Sequence, residues 1–270
     1  MVAHLAARLR ELGRNPAILT RGYKRVSSEP IVIVPRGSKA AVNDTGDEAQ
    51  MFIRRGDAHV GIGADRYEVG RKMEEQLAPD IFLLDDGFQH VELARSRDIV
   101  LIDAESITSD RIFPGGRLRE SISALSRATE IVVTRGTLAQ SQAAPVFTSR
   151  VVPVEWIDAT SGESVPLDLA KKTRAAAFCG LGNPGSFWRT LDQIGIQPMS
   201  QREFRDHHRY TPAELKEIAA GHDVLLTSEK DVMNFPATLP ATRIYWLKIS
   251  IEIDREQELL DRILAARVSV

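Results

Sequence analysis

The sequence is short of cysteine, of aromatic residues and of long apolar runs. A single cysteine, Cys179, among 270 residues excludes an intramolecular disulfide and a cysteine-based zinc site. It lies in the apolar run 175–179 and reads as a buried, inert thiol. No stretch approaches the roughly 18 apolar residues of a membrane-crossing helix. The first residues lack the basic, apolar and small-residue zones of a signal peptide, so the chain alone reads as soluble. Peripheral membrane contact needs only an amphipathic face or a basic patch. No excess of one charge exists either: 35 Lys and Arg face 37 Asp and Glu, for a formal net charge of −2. That balance gives no reason to expect a nucleic-acid partner, and an anionic ligand must be met locally.

With 43% hydrophobic residues the composition is that of a globular protein with a well-buried core. Val2, Leu5, Ala6, Leu9 and Leu12 fall at helical spacing, with Gly13 as the stop, and predict a helix over 2–12. No capping residue precedes it, so the expectation is a chain that opens inside a helix. Apolar runs predict strands at 17–20, 31–34, 58–62, 80–84, 99–102 and 131–134, with helical patterns at 66–77 and 121–128 between them. This alternation is that of a parallel, doubly wound α/β sheet, which places functional loops at the carboxyl ends of strands. Pro, Ser and Thr break the pattern from about residue 140. The division expected is a core lobe over 1–138, a β-rich linker over 139–168 and a smaller α/β lobe over 169–270. In that last lobe strands are expected at 175–179, 198–204, 224–227 and 244–249, with helices near 187–194, 212–220 and 255–266.

Six segments carry residue types suited to chemistry. Asp85 and Asp86 end the apolar strand 80–84, where a carboxylate can hold Mg²⁺ directly or through its waters; an Asp-Asp-Gly turn is the alternative. Gln89 and His90 follow and make the strand end polar. After the first strand, Arg21 and Tyr23 suit a phosphorylated sugar, the guanidinium through forked hydrogen bonds and the phenol through stacking. The acidic loop 43–48 opens a helix. Asp44 or Thr45 could cap it, while Asp47 could take a proton from a substrate hydroxyl. Between Pro114 and Glu120, flexible glycines precede Arg117 and Arg119, as in a phosphate-binding loop. The run 204–210 sets His207 and His208 beside Asp206, a carboxylate able to hold an imidazole in one tautomer. Finally, Gly180, Gly182 and Gly185 form G-x-G-x-x-G between a strand and a helix, with Glu203 further on, which admits an NAD-dependent oxidoreductase.

Taken in order, these segments resemble the lipid A 4'-kinase (tetraacyldisaccharide 4'-kinase) family. The matches are R-G-Y at Arg21, G-D-E at Gly46, D-D-G-F-Q-H at Asp85, L-R-E at Leu118, G-x-G-N-P at Gly180, D-H at Asp206 and E-K-D at Glu229. The resemblance implies a fold like that of P-loop NTPases and transfer of phosphate from ATP to the 4' hydroxyl of an acylated disaccharide phosphate. Asp47 and His207 take the place of the family's acid–base pair, and Asp85 and Asp86 that of its Mg²⁺-associated carboxylates. Arg21, Tyr23, Gln89, His90, Arg119 and Glu120 fall where the sugar-phosphate and nucleotide pocket is lined. His207 is chosen over His208 because it directly follows Asp206. The implied setting is the cytoplasmic face of an inner membrane, met peripherally. G-x-G-N-P then belongs to the second lobe, and the NAD reading recedes.

Two departures accompany the match. Family members carry G-G-T-G-K-T-P before the first helix, whereas this sequence begins after that place and holds no G-x-x-x-x-G-K-[ST]. The expectation is a chain without its P-loop, first strand and membrane-associated helix, which leaves a binder of the lipid disaccharide as the alternative to a kinase. Losing three charge-assisted hydrogen bonds of about 1.5–3 kcal/mol each would slow transfer roughly 10³- to 10⁶-fold. Pro114-Gly-Gly-Arg117 also stands where P-A-G-P is usual.

Overall fold

In the computed structural model, residues 1–23, 25–107, 111–116, 118–138 and 143–265 are described. Lys24, Arg117, the first four positions of the expected linker after Leu138 and the end of the expected closing helix lie outside them. The chain forms two compact units, each from two segments. Met1–Asp85 joins Pro153–Ser250 in the first, and Asp86–Val152 joins Ile251–Val270 in the second.

The first unit opens with α1 (Val2–Glu11), which buries Leu5, Ala6 and Leu9 and stops at Gly13 with φ +79°. Next come β1 (Pro16–Thr20), β2 (Ile31–Val34), α2 (Val42–Thr45), α3 (Asp47–Arg55), β3 (His59–Gly63), α4 (Arg66–Leu77) and β4 (Ile81–Leu84). The sheet order is β2-β3-β1-β4. β1 runs parallel to both β3 and β4, and all five of its residues are buried, as a central strand flanked on both sides requires. β2 departs from the all-parallel expectation and pairs antiparallel to β3 at the edge. It follows β1 through a stretch without a helix, and a parallel strand needs a long crossover. Helix α4 lies close on β3 because Gly61 faces it: a Cβ there would meet Val69 Cγ1 at 2.6 Å. Asp65 caps α4 by accepting the Glu68 amide.

The second unit holds β5 (Ile99–Asp103), α5 (Ala104–Ile107), β6 (Glu130–Arg135) and the start of the long strand β7 (Val146–Asp158). β6 runs parallel to β5 and to β7. The helix expected near 121–128 is a 3₁₀ segment, Ile122–Arg127. At its start the Ser121 and Ser123 hydroxyls bond to each other, and the Ser121 side chain does not cap the segment.

Back in the first unit, the end of β7 pairs with the short β8 (Ser164–Val165), and Trp156 sits fully buried with its indole N–H donating to the Leu167 carbonyl. There follow β9 (Ala175–Cys179), α6 (Pro184–Gln193), β10 (Ser200–Glu203), α7 (Pro212–Ala219), β11 (Val224–Ser228), α8 (Glu229–Val232) and β12 (Arg243–Ile253). β10, β9, β11 and β12 are neighbours in that order, all parallel, and Ala175, Ala177, Cys179, Leu226 and Tyr245 form the core beneath α6. Helix α7 starts on a capping box between Thr211 and Glu214. The closing helix α9 (Glu256–Leu264) belongs to the second unit and buries Leu259, Leu260 and Ile263.

Candidate functional site

Asp47 opens α3, and Gly46 before it, not Asp44 or Thr45, is the capping residue. Thr45 instead turns its hydroxyl onto the Ala41 carbonyl and accepts from Gln50. Gly46 has φ +84°, and a Cβ there would meet the Tyr23 carbonyl at 2.9 Å, so only glycine suits the corner that aims Asp47. A carboxylate at a helix N-terminus also meets the favourable end of the helix dipole.

Asp47 Oδ2 lies 2.6 Å from His207 Nδ1, and both side chains are more than nine-tenths buried, at 5% and 8% exposure. Asn234 Nδ2 donates to the same oxygen at 3.2 Å, while Oδ1 accepts the Glu48 amide at 2.9 Å. Burial alone would raise the Asp47 pKa. The hydrogen bonds from His207, then Asn234, and the nearby charge of Lys230 overcome it and hold the carboxyl below its ordinary value. His207 sits in the turn after β10 with φ +62°, a left-handed conformation uncommon outside glycine. Tyr23 presents its ring edge-on to the imidazole, the centroids 5.6 Å apart. Of the residues singled out in the sequence, the first unit thus gathers Asp47, His207 and Tyr23. Arg21 is exposed just past β1.

Asp85 ends β4. Its amide donates to the Leu19 carbonyl, and Thr20 Oγ1 stands 3.4 Å from its Oδ2. Strand ends β1 and β4 therefore place a hydroxyl and a carboxylate side by side at the carboxyl edge of the sheet, where open α/β sheets bind ligands.

The second unit gathers the remaining residues. Asp86, at φ +51°, receives Arg119 Nη1 on both oxygens at 2.8 and 2.7 Å. Gln89 Nε2 donates to Glu120 Oε1 at 3.0 Å, and Arg127 donates to both Glu120 oxygens. Those hydrogen bonds from Arg127 and then Gln89 lower the Glu120 pKa. His90 closes a turn, its amide on the Gly87 carbonyl, and its own carbonyl accepts from Arg95. Among the described residues no group of three or more His, Cys, Asp and Glu side chains converges to hold a metal ion.

Several residues around Asp47 and His207 escape sequence reasoning. Lys230 Nζ lies 2.8 Å from Asp206 Oδ1 and 3.3 Å from His207 Nε2. Arg55 pairs with Glu229 at 2.8 Å. Asp231, 2% exposed, accepts from the Gly180 amide and the Tyr210 hydroxyl at 2.7 Å each and from Ser228 Oγ at 2.5 Å. The sequence signal available was E-K-D itself, directly after an apolar strand, together with Asn234 one helical turn beyond Lys230.

The same contacts bear on the glycine run 180–185. The Gly180 amide is taken by Asp231, and a Cβ on Gly182 would meet Asp206 Oδ2 at 3.3 Å. A loop that faces the chain's own carboxylates repels a pyrophosphate, so the dinucleotide reading fails on charge.

By class, this is a mixed α/β protein with a carboxylate–imidazole pair suited to acid–base chemistry at a buried site. The family model described as LpxK, tetraacyldisaccharide-1-P 4'-kinase, matches residues 1–269. The chain is 35% identical over 263 residues to the tetraacyldisaccharide 4'-kinase of Koribacter versatilis, covering 92% of this chain and 77% of that protein. It is 33% identical to the protein of the same name from Anaeromyxobacter sp., covering 98% and 76%. The crystal structure of LpxK from Aquifex aeolicus, in an "apo" form in complex with ATP, superposes with a TM-score of 0.79 at 29% identity, covering 97% and 83%. The chain belongs to the tetraacyldisaccharide-1-P 4'-kinase family.

Proposed function

We propose that this protein transfers the γ-phosphoryl group of ATP to the 4' hydroxyl of tetraacyldisaccharide 1-phosphate, a step of lipid A biosynthesis. The observation that carries the reading is the 2.6 Å contact between Asp47 Oδ2 and His207 Nδ1 within a family of this activity. A buried carboxylate kept ionised by donors is a base at neutral pH, and phosphoryl transfer needs only positioning of the hydroxyl and charge stabilisation around it. Asp47 takes the proton of the 4' hydroxyl, and His207 orients Asp47.

We assign Mg²⁺ to Asp85, with Asp86 the second candidate carboxylate. The ion is held by one or two carboxylates plus water and phosphate oxygens rather than by a closed protein cage, and Asp85 stands at a strand edge beside the Thr20 hydroxyl. When bound, Mg²⁺ neutralises charge on the β- and γ-phosphate oxygens. Arg119 and Asp86 form an exposed pair worth about 1 kcal/mol or less, so either partner is readily given up to a phosphate or a metal ion. Arg21 and Tyr23 of the first unit, and separately Gln89, His90 and Glu120 of the second, would supply polar groups to sugar and phosphate. A lipid substrate of this kind would bring the protein to the cytoplasmic face of an inner membrane. We read the contact as peripheral, through an amphipathic face or a basic patch; no helix among the described residues is long and apolar enough to cross a membrane.

The test uses protein made from the complete reading frame, Mg·ATP and tetraacyldisaccharide 1-phosphate, with the product identified by mass and by the position of the new phosphate. Transfer to the 4' oxygen that is lost in Asp47→Asn supports the reading. Absence of transfer by the wild type, or transfer to another position, overturns it.

A further inference from the structure

Among the described residues, four charged groups face the His207 imidazole besides the ring of Tyr23. Asp47 Oδ2 stands at Nδ1; Lys230 Nζ at 3.3 Å, Asp206 Oδ2 at 3.5 Å and Glu48 Oε1 at 3.9 Å stand at Nε2. Of the three at Nε2, Lys230 is the nearest and the one that makes a hydrogen bond. An ammonium group has donors and no acceptor, so its bond to Nε2 requires that nitrogen to be bare. The ring proton then sits on Nδ1, where it donates to Asp47. Asp206 Oδ1 holds Lys230 in place at 2.8 Å and offsets its charge.

On the far side, Asn234 Nδ2 and His207 Nδ1 both donate to Asp47 Oδ2, whereas among the described residues Oδ1 receives only the Glu48 amide. A carboxylate oxygen has two lone-pair sites, so Oδ2 is filled and Oδ1 keeps one open. Asn234 and Lys230 lie one helical turn apart on the segment that α8 begins, so a single short element sets both ends of the pair.

From this geometry we infer that Lys230 is a positioning residue which fixes His207 as the tautomer protonated at Nδ1, and that Asn234 with His207 reserves Oδ1 of Asp47 as the proton acceptor. The inference rests on the kinase reading for its last step. There the O–H bond of the 4' hydroxyl breaks, its proton goes to Oδ1 and its electron pair forms the new P–O bond. The bond from phosphorus to the β–γ bridging oxygen breaks, and ADP leaves.

The experiment reads the ¹⁵N resonances of the His207 ring in purified protein at neutral pH, assigned by comparison with His207→Gln, in wild type and Lys230→Met. The expected wild-type spectrum has a protonated Nδ1 and a bare Nε2, and Lys230→Met loses that pattern. In parallel, Lys230→Met lowers kcat about 10- to 10²-fold with KM for both substrates unchanged, as expected when an orienting donor is misplaced. A proton on Nε2 in the wild type, or a ring spectrum unmoved by Lys230→Met, overturns the inference. The spectra need no substrate. The expected tautomer in a protein without transfer activity would therefore refute the kinase reading and leave the Lys230 assignment standing.

Discussion

Asp47 Oδ2 and His207 Nδ1 meet at 2.6 Å across 160 residues of sequence, one at the start of α3 and the other in the turn that follows β10. Neither residue is placed by its neighbours alone. Gly46 turns the chain so that Asp47 leads its helix, and Asp231 ties the Gly180 loop and Tyr210 to the start of α8 beside His207. The geometry of the pair rests on two backbone corners and one buried carboxylate.

Replacing Gly46 by Ala forces a side chain into a φ of +84° against the Tyr23 carbonyl. The expected cost is about 1–3 kcal/mol of stability, with phosphate transfer falling further than stability because Asp47 is re-aimed. Chemical denaturation and kinetics on Gly46→Ala check both.

Tyr210→Phe removes a hydrogen bond to the buried carboxylate of Asp231, whose charge also holds the phenol pKa above its ordinary value after burial has raised it. A bond to a charged group is worth about 1.5–3 kcal/mol, so a loss of that size is expected in denaturant unfolding. Asp231→Ala strips three donors of their acceptor and should cost more than Tyr210→Phe.

Stability should depend on pH through His59. Its Nδ1 accepts the Arg36 amide at 3.0 Å, and burial, then the Arg36 charge, lowers its pKa from 6.5. A lowered folded value means that the unfolded chain binds the proton first. The contribution of His59 is complete above pH 6.5 and is lost as pH falls below it toward the folded value. Melting temperature against pH should slope upward through this window, and the slope should flatten in His59→Gln. Asp47 acts lower on the scale: its stabilisation is present above the ordinary 3.8 and is lost as pH falls through the depressed folded value.

Burial, then the charges of Asp231 and Glu203, pushes the Cys179 thiol up to about 12. The thiolate is the species that attacks an alkylating reagent, so Cys179 should resist labelling in the native protein and react only on unfolding. Labelling followed by mass spectrometry in native buffer and in denaturant reads this directly.

Much of this was legible along the chain, because the signals were local. The apolar run of β1, the 3.6-residue period of α4 and the capping box of α7 each lie within a dozen residues, and D-D-G-F-Q-H marks a strand end by itself. The Asp47 and His207 choices came from motif order rather than from any spacing between them. What the sequence hides is the return of distant segments. Neither the antiparallel turn of β2 onto β3 nor the placement of Lys230 and Asn234 against residues up to 187 positions away leaves a periodic trace. Along the chain Asp231 is visible only as the last residue of E-K-D, since a buried carboxylate is recognised by its donors, and those come from Gly180, Tyr210 and Ser228.

The most direct test of the account is the rate of phosphate transfer from Mg·ATP to tetraacyldisaccharide 1-phosphate by wild type, Asp47→Asn and His207→Ala. Loss of the base should lower kcat about 10²- to 10⁴-fold with lipid binding retained, and loss of its orienting partner should lower kcat by less. Wild-type transfer that survives Asp47→Asn unchanged would contradict the central role given to that carboxylate.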